Sequence, residues 1–252
     1  MSNSKLKNTL LFILPFLLIF NQAIAQSEVI ETKSFDKVII NPHIQVVFEQ
    51  GNTESVRIER INVPIDKLNI EVKNKTLEVY LDGAKMITKS KKGERDEWGG
   101  KSDLYQGTIV KMIVTYKDVD EFSLRGEEKM LFESPINTEK LELNIYGESQ
   151  VLVNELVVNE LKVAMYGENE LQIRKGSTQN QKFTIYGESD INTLGLENQE
   201  TKVVSFGEAD FKLNVVDRLK VTSYGEADIV YQGNPTVKKG IVIGETTIKK
   251  MR

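Results

Sequence analysis

The chain has 252 residues, 40% of them hydrophobic, with a formal charge of −4 at neutral pH and no cysteine. That composition excludes disulfides, thiol catalysis and cysteine-held zinc, and the acidic balance argues against nucleic acid and anionic lipid as partners. The fold must be held by packing alone, and the length suffices for a large core in one elongated domain or two.

Lys5 and Lys7, the apolar stretch from Leu10 to Phe20 and the A-x-A site Ala23-Ile24-Ala25 read as a secretory signal peptide over residues 1–25. The apolar run is short for a membrane span and contains Pro15. No cysteine follows the cleavage site, so no lipoprotein anchor is expected. Removing the leader loses two lysines and no acid, which takes the charge from −4 to −6. No later run has membrane-spanning length. The mature chain is expected to be exported, soluble or peripheral, in the periplasm or on the outer cell surface.

Residues 26–121 form a β-rich section. Val38-Ile39-Ile40, Ile44 to Phe48, Ser55 to Ile58, Leu68 to Val72, Leu77 to Leu81 and Ile109 to Tyr116 are rich in β-branched residues, and several alternate apolar with polar. Gln50-Gly51-Asn52 and Lys73-Asn74-Lys75 are turn signals between them. No segment holds a helical period. Residues 85–107 interrupt the pattern with a charged, glycine-rich loop that carries the only tryptophan, Trp98. Such a loop is a solvated excursion or a contact element for a sugar or protein.

Residues 122–252 repeat. An aromatic residue, Gly-Glu, a small residue, an acid or amide and an apolar residue recur at Tyr146-Gly147-Glu148, Tyr166-Gly167-Glu168, Tyr186-Gly187-Glu188, Phe206-Gly207-Glu208 and Tyr224-Gly225-Glu226. A degraded copy stands at Ile243-Gly244-Glu245, and Ser123 to Glu127 resembles a first, imperfect unit. The glycines step by 20, 20, 20, 18 and 19 residues. A period near 20 without helical patterning predicts an all-β, parallel β-solenoid of six or seven rungs, with the N-terminal section continuing or capping it. Strand parity puts Leu141, Leu143, Ile145, Gly147, Ser149 and Val151 inside and Tyr146, Glu148 and Gln150 outside. Turns are expected near Asn154-Glu155, Lys175 to Ser177, Asn192 to Gly195 and Val216-Asp217.

Stacked rungs turn each repeated position into a column. Tyr146, Tyr166, Tyr186, Phe206 and Tyr224, ending at Ile243, form an aromatic column. It is a structural ladder or, with Trp98, a ligand-binding surface for a glycan or envelope protein. Glu127, Glu148, Glu168, Glu188, Glu208, Glu226 and Glu245 form a second column, and Gln150, Glu170, Asp190, Asp210 and Asp228 a third. Carboxylates about 4.8 Å apart in water repel by roughly 0.9 kcal/mol. The bland role of these rows is a solubilising face. The sharper one is cation binding, calcium by preference, between Glu168/Glu170, Glu188/Asp190, Glu208/Asp210 and Glu226/Asp228. A lysine column, Lys162, Lys182, Lys202, Lys220 and Lys239, lies six residues earlier, too far along a straight strand to pair with the Glu column.

Catalysis has little support. His43 is the single histidine, at a strand start beside Pro42, and no nucleophile elbow, phosphate loop or histidine metal motif occurs. Acids repeated in identical columns do not provide the differentiated pair that a glycosidase uses.

The units resemble the bacterial family described as "putative auto-transporter adhesin, head GIN domain". The match is position by position in Tyr224-Gly225-Glu226-Ala227-Asp228-Ile229, Phe206-Gly207-Glu208-Ala209-Asp210-Phe211 and Tyr186-Gly187-Glu188-Ser189-Asp190-Ile191. Glu stands where the family has Ser, and a small residue where it has a second Gly. Lys33 to Ile40 and Ile44 to Gly51 resemble the family's opening. The resemblance implies a β-helix-like fold, export and an adhesive or surface role, with no catalytic residues to carry over. No stretch reads as a membrane barrel. The expected function is therefore a non-catalytic, exported binding or adhesion module of the envelope. The alternatives are a structural or interaction part of an envelope complex and, third, a carbohydrate-active β-helix enzyme. Self-association is open.

Overall fold

The computed structural model describes residues 28–95 and 101–252. The leader and Trp98 lie outside the described residues. In chain order the strands are β1 (Glu28–Glu31), β2 (Lys37–Ile40), β3 (Ile44–Gln50), β4 (Ser55–Ile61), β5 (Leu68–Lys73), β6 (Thr76–Leu81), β7 (Ser90–Arg95), β8 (Lys101–Asp103) and β9 (Val110–Tyr116). The repeat section follows as β10 (Glu121–Gly126), β11 (Lys129–Phe132), β12 (Ile136–Gly147), β13 (Gln150–Val153), β14 (Leu156–Ile173), β15 (Gly176–Gln232), β16 (Thr236–Ile243) and β17 (Thr246–Lys250). These make a parallel β-solenoid of about six turns.

The register follows the repeat. Tyr146 lies beside Tyr166 and Tyr166 beside Tyr186, with Gly147, Gly167 and Gly187 in line. β15 is unbroken across several rungs, so the expected turns at Asn192 to Gly195 and Val216-Asp217 are bends within continuous strand. The N-terminal strands belong to the same sheet. β2 pairs with β10 and β3 with β11, so residues 37–50 form the rung preceding the repeat. β6 and β9 lie on the far side of β2 and β3 and form one rung more. Beyond them, antiparallel β5 and β4 close that end, and β1 pairs with β4. The β5–β6 hairpin turns at Asn74 and Lys75, both at positive φ, as a two-residue hairpin requires.

The alternating apolar residues fill one continuous core. At its N-terminal end Phe48, Phe122 and Phe132 meet with ring centroids 4.6–5.0 Å apart. Toward the C-terminus the interior turns polar: the Gln181 amide donates to Thr201 Oγ1 (2.9 Å), whose hydroxyl donates to Asn198 Oδ1 (2.6 Å).

Two expectations need correcting. The repeat glycines do not face inward: Gly147, Gly167, Gly187 and Gly207 are exposed, and only the small residue two positions later is buried. The glycines sit at φ between 102° and 129°, a conformation that turns the chain through a corner and takes the glycine itself off the inner face, while the strand parity on either side of it is kept. Tyr, Gly and Glu therefore all point outward in succession. The second correction concerns the lysine column. Lys220 lies beside Lys238, not Lys239, because a bulge between Val221 and Ser223 adds a residue to the last rung. The 85–107 loop also carries the short hairpin β7–β8.

Candidate functional site

The glycine corners build a regular outer stripe. Tyr146, Tyr166, Tyr186, Phe206 and Tyr224 are stacked with centroids 4.9–5.0 Å apart and planes within 7° of parallel. Tyr166 and Tyr186 remain 38% and 40% exposed. Parallel rings at this spacing cover one another's faces, since coplanar rings would collide. Solvent therefore meets ring edges and hydroxyl tips along the row. The row ends at Ile243, which is exposed, and at Arg125, whose guanidinium lies 5.8 Å from the Tyr146 ring centre. A Cβ on Gly187 would lie 2.5 Å from the carbonyl oxygen of Gly167, so both dihedral and space require glycine there.

The carboxylate columns flank this stripe, exposed. Glu168 and Glu170 lie beside Glu188 and Asp190 on the next rung. The Asp210 carboxyl is held above the usual carboxylate range, first by partial desolvation and then by Asp190 and Asp228 on either side. Glu170, Asp190, Asp210 and Asp228 line a shallow groove of about 360 Å³. The acids of each proposed cation pair come together, but as rows running from rung to rung. Among the described residues no group of three or more acidic or histidine side chains is arranged to hold a metal ion. Lys162 pairs with Glu160 at 3.2 Å, two residues away on its own strand.

Sequence reasoning missed a cleft at the upper end of the aromatic row. Ile40 is in register with Val79 and Ile44 with Val110, so residues 82–109 are an insertion at the corner position of one rung. Met86 to Thr88 of this insertion stand over the corners below. Met86, Ile87 and Thr88 face Pro42, His43, Arg125, Glu128 and Tyr146 across a space of about 400 Å³. His43 takes the corner in its own rung at φ 72°. Its Nδ1 is 2.8 Å from the Gly107 carbonyl oxygen and its Nε2 is 2.6 Å from Thr88 Oγ1, which ties the insertion to the stack. One signal of this place was present in the sequence: the first unit reads Arg125-Gly126-Glu127-Glu128 where later units read aromatic-Gly-Glu-small.

A family model described as "Putative auto-transporter adhesin, head GIN domain" matches residues 34–235. The chain belongs to this family. Solved structures share the head GIN fold. A "putative adhesin" from Bacteroides fragilis NCTC 9343 is similar at TM-score 0.75 and 19% identity, covering 89% of this chain and 96% of its own. A "putative adhesin" from Parabacteroides distasonis ATCC 8503 gives 0.56 and 20%, with 89% and 96% covered. A "putative lipid binding protein" from the same organism gives 0.58 and 17%, with 90% and 96% covered. At such identity the likeness concerns the fold alone. Among curated proteins, none matches the head GIN chain in sequence. No helix among its described residues is long and apolar enough to cross a membrane.

Proposed function

We propose that this head GIN protein is an exported, non-catalytic binding module of the adhesion type at the cell envelope, and that its aromatic row is the surface offered to a partner. The observation that carries this reading is the row itself: five parallel rings, exposed at their edges and repeated at the spacing of a β-sheet. A soluble protein with no use for it gains little from a contiguous exposed aromatic stripe. Export rests on the family's adhesin character and on the leader pattern of residues 1–25. Metal-assisted attachment through the acid rows has weaker support, since the carboxylates stand in line from rung to rung.

The closed ring faces favour a protein partner over a glycan. Sugars bind aromatic side chains by laying a ring against an open face, and the interior rings of this row have none. Edges and hydroxyls suit an extended polypeptide lying along the stack. The test is a pull-down from native envelope with the wild-type chain and with Tyr166→Ala plus Tyr186→Ala, run beside a glycan array. A protein captured by the wild type and lost in the double variant supports the reading. Array binding lost in the variant would move the assignment to a glycan, and unchanged capture would remove the row from the function.

A further inference from the structure

At the first glycine corner the repeat breaks its own pattern twice. Arg125 takes the aromatic position, and Glu128 takes the inner one, where later rungs place Ser149, Asn169, Ser189, Ala209 and Ala227. Glu128 is only 4% exposed. Its carboxylate accepts the backbone N–H of Glu127 at 3.1 Å, His43 lies near enough to act on it, and among the described residues no lysine or arginine is ion-paired with it. It folds over Gly126, where any Cβ would strike its Oε2. Burial holds this carboxyl above its ordinary value, so the charge costs the folded state. Five other rungs show that a small residue fills the position, so packing does not require an acid. A destabilising buried charge beside a cleft, at a position where the other rungs do without one, points to function.

The surroundings give the ligand its sign and shape. Glu127 and Glu148 join Glu128 along one side of the 400 Å³ cleft, opposite Met86 and Ile87. Met86 is 67% and Ile87 83% exposed, an unusual placing for apolar side chains in a loop dense in charge. Among the described residues the one arginine or lysine lining the cleft is already engaged: the Arg125 guanidinium donates to Asn41 Oδ1 at 3.2 Å and lies over the Tyr146 ring. Both nitrogens of His43 are committed to Gly107 and Thr88. What is left over is carboxylate charge next to apolar surface.

We propose that this cleft binds a small organic ammonium ion, with the charged head at Glu128 and the rim carboxylates and the apolar body against Met86, Ile87 and the edge of Tyr146. The site meets the aromatic row only at Tyr146, its first ring. Loss of a buried carboxylate from such a pair weakens binding by about 2 kcal/mol or more, roughly thirtyfold.

The test titrates the full chain with hexylamine, protonated at neutral pH, and with hexanoate and hexanol as charge controls, followed by amide shifts in 1H–15N spectra. Hexylammonium is expected to move the amides of residues 86–88 and 125–128, with the two controls weak or silent. Glu128→Gln, which keeps shape and an acceptor, is expected to weaken binding roughly thirtyfold. Ile87→Ser, on an exposed loop where folding is not at stake, is expected to weaken it as well. Tyr186→Ala, three rungs away, is expected to leave it unchanged. Equal binding of hexanoate or hexanol, an unaltered Glu128→Gln affinity, or no shift at millimolar hexylamine would each overturn the proposal.

Discussion

Single side chains decide where this repeat departs from uniformity. Glu128 is the clearest case, because its burial has a thermodynamic signature. A carboxyl whose folded-state pKa lies above its unfolded value contributes stability that is complete below the unfolded pKa. That contribution is lost as pH rises through the folded pKa. Glu128→Gln is therefore expected to melt higher than the wild type at pH 7, with the difference shrinking toward pH 4; equal melting temperatures across that range would contradict the assignment. Asp210 obeys the same sign through desolvation and its neighbours Asp190 and Asp228, so Asp210→Asn should behave alike. These two positions separate what the residues showed from what they concealed. The acid column was legible because identical letters recur at one period. The buried Glu128 was legible only as an irregular fourth letter in the first unit, with nothing to say that Met86 and Ile87 stand opposite it.

At the scale of the element, the unit is a corner followed by a short strand. Parity counting read both flanks correctly, Ser149 and Val151 included, and failed only at the glycine itself. A strand alternates only while φ stays negative, and Gly187 sits at 119°. Gly187→Ala must hold an L-residue in that region and push its Cβ against the Gly167 carbonyl. The expected loss is at least about 2 kcal/mol, read from chemical denaturation. The outward Tyr186 is a milder case. Its ring contacts Tyr166 and Phe206 at 5.0 Å, so Tyr186→Ala is expected to cost about 1 kcal/mol, the sum of two cross-strand pairs. A loss nearer zero would show that the ladder serves recognition and not stability. The insertion at residues 82–109 belongs to this scale too. Its composition announced a loop, but its role as an overgrown corner follows only from the pairing of β2 with β6 and β3 with β9.

Across the whole molecule the two ends differ. Antiparallel strands cover the N-terminal end, whereas β16 and β17 each pair on one side only among the described residues. Val237 and Ile248 are correspondingly only partly buried although they pack on the core. Stacked repeats open from a free end, so amides of residues 241–250 should exchange with deuterium faster than those of 141–147, measured by mass spectrometry. Lys238, Lys239, Lys249 and Lys250 give this end a cationic rim that discourages pairing with another chain. The acid rows act over the full length of the stack. Screening should raise the melting temperature with added sodium chloride. Calcium at matched ionic strength is expected to add nothing further, because the carboxylates form lines and not nests; a larger shift with calcium would restore a cation site. The solenoid was readable from the twenty-residue period together with the absence of any helical period, since stacked all-β rungs bring the identical letters side by side.

The row of left-turning glycines has one more implication. Each bend from Gly147 onward presents itself to the carbonyl of the bend before it in the same way, so beyond the closed N-terminal end the corner itself sets no limit on the number of layers. Descendants of such a chain can gain or shed whole periods of about twenty codons while each surviving layer keeps its neighbours. The spacings of 18 and 19 toward the C-terminus show that the stack absorbs miscounts between corners, the last through the bulge between Val221 and Ser223. The length of the stack is thus adjustable without redesigning any single layer.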